Sequence, residues 1–374
     1  MKGKLHIIFL SGWYPSHVFP YNGDFIQRHA EAVSLLHRVT VIHVVTDKKI
    51  NKSIEISDSE INGIRTMIAY IKHSVFKPLL FFKAFRKLFH KAGNYDLIHT
   101  NILYPTGLVS FFIKIIAGKK YIITEHHTIY HKELRSQIGI FRKFVSGLIS
   151  KNAATICPVS KHLSCEMKDF GLNGNYIEVP NVVDTELFAA KENSKNERFS
   201  IIHVSNMESR KRVTDILDII KDLQNKIGSL SFYLIGENSH KYIDYAQNIG
   251  IDTANIDFLD QITHQQLVSY YQKSDVFILF SESENLPCVI LESFSCGTPV
   301  ISNNVGGIAE YFPKDFGFLE NKKSNILPLL LKIHSGYKFA TPEVMHDYAI
   351  EHFSQKSIAE KFSEIYFDML KIEF

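Results

Sequence analysis

Short runs of Val, Ile, Leu and Phe alternate with amphipathic stretches along nearly all of the 374 residues. The alternation pauses once and then restarts. Apolar runs of strand length, separated by helical patterns, read as β-α-β units built around parallel sheets. Strands are predicted at 6–10, 39–45, 64–70, 97–99, 121–124, 155–159 and 176–179. Residues 185–198 (TELFAAKENSKNER) are polar and charged and read as a linker. Beyond them strands are predicted at 200–204, 231–235, 275–280 and 299–302. The chain therefore reads as two doubly wound domains, and its length is ample for two cores.

Charge divides at the same place. Residues 1–185 hold 24 Lys and Arg against 13 Asp and Glu, a net of +11, whereas the remainder nets −8. The halves are expected to meet different partners, or each other. The four cysteines form no C-x-x-C pair and none has zinc-site spacing, which suits buried thiols in a reducing compartment. No apolar run has signal-peptide or membrane-span length, so a cytoplasmic protein is expected. There is no G-x-G and no G-x-x-x-x-G-K-[ST]. Dinucleotide-dependent oxidoreductases and P-loop nucleotidases lose their best support, and nothing points to nucleic acid.

The densest chemical signal is Ser281–Ser302, SESENLPCVILESFSCGTPVIS. A strand ends in a polar loop holding Glu282 and Glu284; Pro287 suits a first helical position, and Gly297 suits a helix stop. Backbone N–H groups near Leu286, Pro287 and Cys288 would lie at a helix N-terminus, ready for an anion such as a diphosphate. Glu284 could accept from sugar hydroxyls and Glu292 from a ribose diol. The competing reading makes the loop glutamates solvated charges and Glu292 a surface residue, the default for Glu.

These residues resemble the retaining glycosyltransferases of family 4, which have the GT-B fold. Glu284 and Glu292 have that family's E-x7-E spacing, Cys296-Gly-Thr-Pro-Val300 follows, and Gly306-Gly307-x-x-Glu310 stands where the family has G-G-x-x-E. Asn285-Leu286-Pro287 replaces the usual G-F-G. Upstream, His203–Val213 resembles the segment carrying an Arg and, five residues later, a Lys that bind the donor diphosphate. Lys211 matches the Lys and Asn206 occupies the Arg position, with Arg210 or Arg212 as alternative cations. In the first half, the loop 11–25 resembles the family's glycine-containing loop, making Gly23 a candidate for close approach to the sugar-diphosphate. Thr124-Glu125-His126-His127 resembles T-x-H, with His126 directed at the donor sugar. Segments 157–161 and 179–188 and the tail 346–370 resemble further family segments.

The resemblance implies two facing Rossmann-like domains with a cleft between them: residues 1–184, joined in space by about 346–374, on the acceptor side, and 199–345 for the donor nucleotide. It implies a retaining, hexosyltransferase-type enzyme without cofactor or obligatory metal. The sugar would move from a UDP- or GDP-type donor to a glycan or lipid-linked acceptor in cell-surface polysaccharide synthesis. Glu284, Lys211 and His126 would be catalytic; Gly23, Asn206, Arg210, Leu286, Pro287 and Glu292 would bind donor. The alternatives are a GT-B sugar-nucleotide epimerase or hydrolase, and a non-catalytic sugar-nucleotide-binding protein, to which the absent Arg at 206 lends weight.

One further segment stands out. Residues 78–91 (PLLFFKAFRKLFHK) contain no acidic residue. At 100° per residue Phe81, Phe82, Ala84, Phe85, Leu88 and Phe89 share one face, opposite Lys83, Arg86, Lys87, His90 and Lys91. The pattern fits a helix that packs its Phe face on the sheet and turns a basic face to an anionic membrane, giving a peripheral protein on the inner surface.

Overall fold

The computed structural model describes residues 3–190 and 198–371. It divides into two compact units, 1–182 with 355–374, and 183–354. The first contains β1 (His6–Ser11), α1 (Asp24–Ser34), β2 (Arg38–Asp47), β3 (Ile54–Ile61), β4 (Ile64–Lys72), α2 (Lys77–Ala92), β5 (Leu97–Asn101), α3 (Gly107–Ala117), β6 (Tyr121–Glu125), α4 (Ile140–Asn152), β7 (Thr155–Pro158) and α5 (Lys161–Asp169). The second contains β8 (Ser200–Val204), α6 (Val213–Ile227), β9 (Ser231–Ile235), α7 (Ile243–Asn248), β10 (Ile256–Leu259), α8 (His264–Gln272), β11 (Val276–Leu279), α9 (Cys288–Ser295), β12 (Val300–Ser302), β13 (Gly317–Leu319), α10 (Lys323–His334) and α11 (Pro342–Phe353). The chain then re-enters the first unit as α12 (Gln355–Leu370).

The first sheet has the order β3-β4-β2-β1-β5-β6-β7. It is parallel except for the β3–β4 hairpin, whose turn is Asn62-Gly63, both with positive φ. Asn-Gly supplies that left-handed pair at little steric cost. Side chains one residue out of phase face opposite sides of a strand. Ile7, Phe9, Val41 and Ile68 accordingly join α1 and α12 in one core. Ile8, Leu10, Ile42 and Met67 are fully buried on the other side. The crossovers through α2, α3 and α4 all advance across the sheet in one direction, and that through α1 runs the other way. Right-handed crossovers therefore put α2, α3 and α4 on the face opposite α1. α12 packs along α1.

The second sheet, β10-β9-β8-β11-β12-β13, is wholly parallel. Its central strands β8, β11 and β12 bury both faces, and Ile201, Phe232, Leu234 and Ile278 pack with α6 and α10.

Several expectations need correction. Residues 176–179 form only an isolated bridge, Ile156 to Tyr176, because β7 is four residues long and ends at Pro158. β3, β10 and β13 go unpredicted. β3 is an acid-rich edge strand with a mostly exposed pattern, and β10 and β13 span four and three residues. Of the expected linker, residues 191–197 lie outside the described residues. Residues 185–190 belong to the second unit, where Phe188 is fully buried and its carbonyl accepts from Ser295 Oγ at 2.6 Å. Residues 346–353 form most of α11, which packs on α9 in the second unit, so the return begins at Gln355. Of the cysteines, Cys157 and Cys296 are buried, Cys288 is half-buried and Cys165 is exposed.

Candidate active site

In the second unit the polar residues gather beyond the carboxyl ends of β8 and β11, where open α/β sheets hold ligands. The segment after β8 turns sharply, with Met207 at φ 54° and Arg212 at φ 49°. A 3-10 turn at Ser209–Lys211 delivers Lys211, which is buried. Its Nζ donates to Glu284 Oε1 in the loop after β11. Glu284 is itself buried, and Arg210 Nη1 lies 3.8 Å from its other oxygen. Burial by itself would raise the Glu284 carboxyl; the charge and hydrogen bond of Lys211, reinforced by Arg210, overcome it and hold the group below the usual carboxylate range.

The surroundings fix this pair. Arg210 donates to the Ser283 carbonyl at 3.0 Å and to Glu208 at 2.6 Å, and the Glu282 N–H donates to the Arg210 carbonyl at 2.7 Å. Asn206, at the position where a second cation was sought, is exposed and donates to Glu208 at 2.8 Å. Arg212 is engaged by Asp215 at 2.6 Å and lies over the Phe280 ring. Gly306, at φ 60°, lies against the same loop, and a Cβ there would stand 1.6 Å from the Glu284 carbonyl oxygen. The Gly307 N–H donates to the Asn285 carbonyl at 2.8 Å.

The two glutamates of the E-x7-E spacing differ from the loop charge beside them. Glu282 is exposed, as a solvated charge should be, whereas Glu284 and Glu292 are buried. Glu292 lies in α9 with the Tyr271 hydroxyl 3.4 Å from its carboxylate, so the surface-residue reading of Glu292 fails. Leu286 and Pro287 are buried, and Pro287 is the N-cap of α9 rather than its first helical residue. The helix ends at Ser295 with a Schellman-type closure: Thr298 N–H donates to Ser293 and Gly297 N–H to Phe294, with Gly297 at φ 74°.

Sequence reasoning missed three residues that brace the elements around this loop. Asn303 Oδ1 accepts from the Ser281 N–H at 3.0 Å. Tyr271 reaches both Glu292 and the Val289 carbonyl. His203 bridges the Ile278 carbonyl and Ser205. Burial lowers the His203 imidazole to about 4, so it is neutral near pH 7. Asn303 immediately follows β12, a position that the strand pattern could have flagged.

In the first unit the predicted residues also gather at strand ends. The loop after β1 and the end of β6 meet there: His126 lies 4.7 Å from the Phe25 ring, and His127 lies 5.0 Å from Trp13. Desolvation, with His29 and His99 nearby, drives the His126 imidazole well below its ordinary range, and a hydrogen bond with Asn181 opposes this in part. His126 is thus neutral near pH 7. Gly23 begins α1 at φ 79°, and a Cβ there would stand 2.6 Å from the Trp13 carbonyl. The loop's own backbone therefore accounts for this glycine. Glu125, unremarked in the sequence, is fully buried and accepts from the N–H groups of Leu103, His126 and His127 at 2.8–2.9 Å. Burial raises its carboxyl despite those donors. It shapes the segment that presents His126 and is a positioning residue.

Two parallel-sheet α/β units, with polar residues at the strand ends of each, define the GT-B class. A model described as "Glycosyl transferases group 1" matches residues 184–334, and one described as "Glycosyltransferase Family 4" matches 25–187. The chain belongs to glycosyltransferase family 4. An uncharacterized glycosyltransferase of Methanocaldococcus jannaschii is 26% identical over 240 residues, covering 64% of each chain and so less than two thirds of that relative. The capsular polysaccharide biosynthesis glycosyltransferase CapH of Staphylococcus aureus is 24% identical over 311 residues, covering 78% of this chain and 81% of CapH. The Anabaena protein HepE, solved in complex with UDP-glucose, superposes with a TM-score of 0.71 at 16% identity, covering 96% of this chain and 98% of HepE. At that identity the likeness speaks to the fold.

Proposed function

We propose that this protein is a retaining glycosyltransferase of the hexosyltransferase type. It takes a UDP- or GDP-linked sugar to a glycan or lipid-linked acceptor in cell-surface polysaccharide synthesis, working on the cytoplasmic side at a membrane surface. The observation that carries the reading is the buried Lys211–Glu284 pair, with Glu292 in the helix that follows. Two carboxylates and a cation drawn out of water cost desolvation energy that an ordinary surface loop has no reason to meet. Such a cluster, at strand ends, is what a sugar diphosphate needs. The likeness to CapH, a capsular polysaccharide biosynthesis glycosyltransferase, and to HepE, solved with UDP-glucose, supports the polysaccharide and UDP-sugar parts.

In this reading the bond between the donor's anomeric carbon and the diphosphate oxygen breaks as the acceptor oxygen attacks from the same face; negative charge grows on the leaving diphosphate, whose oxygen takes the acceptor's proton. Lys211, with Arg210 beside it, neutralises that charge, and the N-terminus of α9, which begins at Cys288 after Leu286 and Pro287, adds the positive end of its dipole. Glu284 accepts from sugar hydroxyls and Glu292 from the ribose. His126 contributes a neutral imidazole that can hydrogen-bond a sugar hydroxyl, and Gly23 lets the loop after β1 pack against the Trp13 backbone, shaping the wall that the diphosphate would meet. Asn206 replaces a charged contact with a polar one. No obligatory metal enters the scheme, since the cationic role falls to Lys211 and Arg210. Catalysis rests on positioning and electrostatics.

The test is a thermal-shift panel of UDP-, GDP- and ADP-sugars, followed by turnover of the stabilising donor with and without membrane extract. Proton NMR of the product's anomeric signal then reads the stereochemistry. An α-linked donor yielding an α-linked product supports retention. Donor consumed equally without acceptor would make the protein a hydrolase or epimerase, and binding without turnover would make it a sensor.

A further inference from the structure

The two helical faces of the first unit are finished differently. α1 is covered by α12, whereas α2, α3 and α4 carry large apolar side chains in the open. On α2 the exposed residues include Phe76 at its N-cap, Leu79 and Phe82; on α3, Phe112 and Ile116; on α4, Phe141 and Phe144. Ile116, Ile140 and Phe141 are 82%, 90% and 75% exposed, so they are not the rims of a core. The stripes are linked. The Phe82 and Phe112 rings lie 6.5 Å apart, joining α2 to α3. Gly107 packs so closely that a Cβ would stand 2.7 Å from Ile149 Cγ2, and Lys114 Nζ donates to the Asn152 carbonyl at 2.7 Å, joining α3 to α4. Folded proteins rarely leave so many large apolar side chains in the open on neighbouring helices without a partner.

The charge pattern says what the partner is. The three helices hold nine Lys and Arg and not one Asp or Glu. Of these, Lys91 pairs with Asp58 at 2.9 Å, and Lys77, Lys83, Arg86, Lys87 and Lys143 are exposed. A second copy of this face would bring cations onto cations. Protruding aromatics amid cations, without acids, match the boundary between acyl chains and anionic headgroups.

We infer that the α2–α3–α4 face docks on a lipid bilayer bearing anionic headgroups, with Phe82, Ile116 and Phe141 entering the acyl boundary and the surrounding Lys and Arg meeting lipid phosphates. The inference starts from the membrane association in the proposed function and assigns its surface. It also replaces docking by the basic side of α2 alone: Ala84, Phe85 and Leu88 pack inward, Phe81 and Phe89 are half-buried, and Phe82 faces outward.

Vesicle flotation tests this with phosphatidylcholine alone and with phosphatidylcholine and phosphatidylglycerol in equal parts, at low and high salt. Wild type should float with the anionic vesicles. The combined variant Phe82→Ser, Ile116→Ser, Phe141→Ser should bind at least about tenfold more weakly at either salt, since apolar burial is not screened. The combined variant Lys83→Glu, Arg86→Glu, Lys87→Glu should lose binding chiefly at low salt. A Phe141→Trp protein should show a blue-shifted component on anionic vesicles that brominated lipid quenches. Wild type left in the infranatant with anionic vesicles at low salt, or Phe141→Trp emission unmoved by them, overturns the inference. So does a lipid-free dimer that the serine variant converts to monomer with vesicle binding unchanged. The thermal-shift panel of UDP-, GDP- and ADP-sugars on the same proteins separates the two ideas. A normal shift without vesicle binding removes the docking face and leaves the transferase reading, and vesicle binding with no donor shift does the reverse.

Discussion

The two units place their candidate residues alike, beyond the carboxyl ends of parallel strands, but the electrostatics are opposite. In the second unit Lys211, Arg210 and Glu284 form a charged, mutually compensated cluster in which the carboxyl is held low. In the first, His126 lies among Phe25, His29 and Trp13-backed His127, and burial keeps its imidazole neutral. The scaffold decides where a site lies, and the few residues after each strand decide what it can do. A charged diphosphate suits the second set, and an uncharged sugar suits the first.

The sharpest way to break this contrast is Lys211→Ala. If Lys211 neutralises the leaving diphosphate, kcat falls on the order of 10² to 10³, and unchanged turnover would remove it from the mechanism. The same change strands a buried Glu284, so thermal unfolding should also show a loss of about 3–5 kcal/mol. Adding Glu284→Gln should restore much of the stability and none of the rate.

Acid should separate the units next. Burial lowers His29 and His43 of the first unit to about 4, and His203 of the second to about 4. Burial also lowers His99 and His126 of the first unit well below the ordinary value. Each folded pKa is below its unfolded value, so the unfolded chain takes up the proton. The stability contribution is therefore complete above about pH 6.5 and is lost as pH falls, toward 4 for His29, His43 and His203 at about 3 kcal/mol each. The first unit should loosen first. Trp13, the single tryptophan, reports on it, and far-UV circular dichroism reports on both units. Coincident transitions between pH 6.5 and 4 would show that the histidine asymmetry does not control acid unfolding.

Glu292→Ala should raise the donor KM by about ten- to a hundredfold with a smaller change in kcat, from loss of a charge-assisted hydrogen bond of about 1.5–3 kcal/mol. A normal KM assigns the nucleotide elsewhere. The last change, Gly23→Ala, leaves the chemistry alone: it puts a Cβ at positive φ within 2.6 Å of the Trp13 carbonyl and should cost more than the roughly 1–2 kcal/mol of the φ penalty, read by chemical denaturation. Gly63→Ala serves as a control, since its Cβ meets nothing within 4 Å; it has only the φ penalty.

Much of this was legible before any coordinates. The strand-helix alternation sufficed for two doubly wound units because each apolar run is a local statement about which residues avoid water. The spacing of Glu284 and Glu292, with Lys211 upstream, was visible because motifs at strand ends are contiguous in sequence. The Asn62-Gly63 hairpin was visible too and went unread, since the acidic β3 lacks the apolar run that announces a strand.

What the sequence could not decide is which surfaces cover one another. Lys211 and Glu284 are 73 residues apart, and nothing local pairs them. Glu282 and Glu284 are two residues apart in one loop, yet the first meets water and the second meets Lys211. The pattern of α2 separates apolar from basic residues but does not say which phenylalanines the sheet takes. The sheet takes Phe85 and leaves Phe82 outside. The family resemblance of the tail implied its return to the first unit, but not that α12 covers α1 and leaves α2, α3 and α4 open. Periodicity records the preference of each side chain for burial, a local quantity. Only the packing of distant segments determines whether there is anything to be buried against.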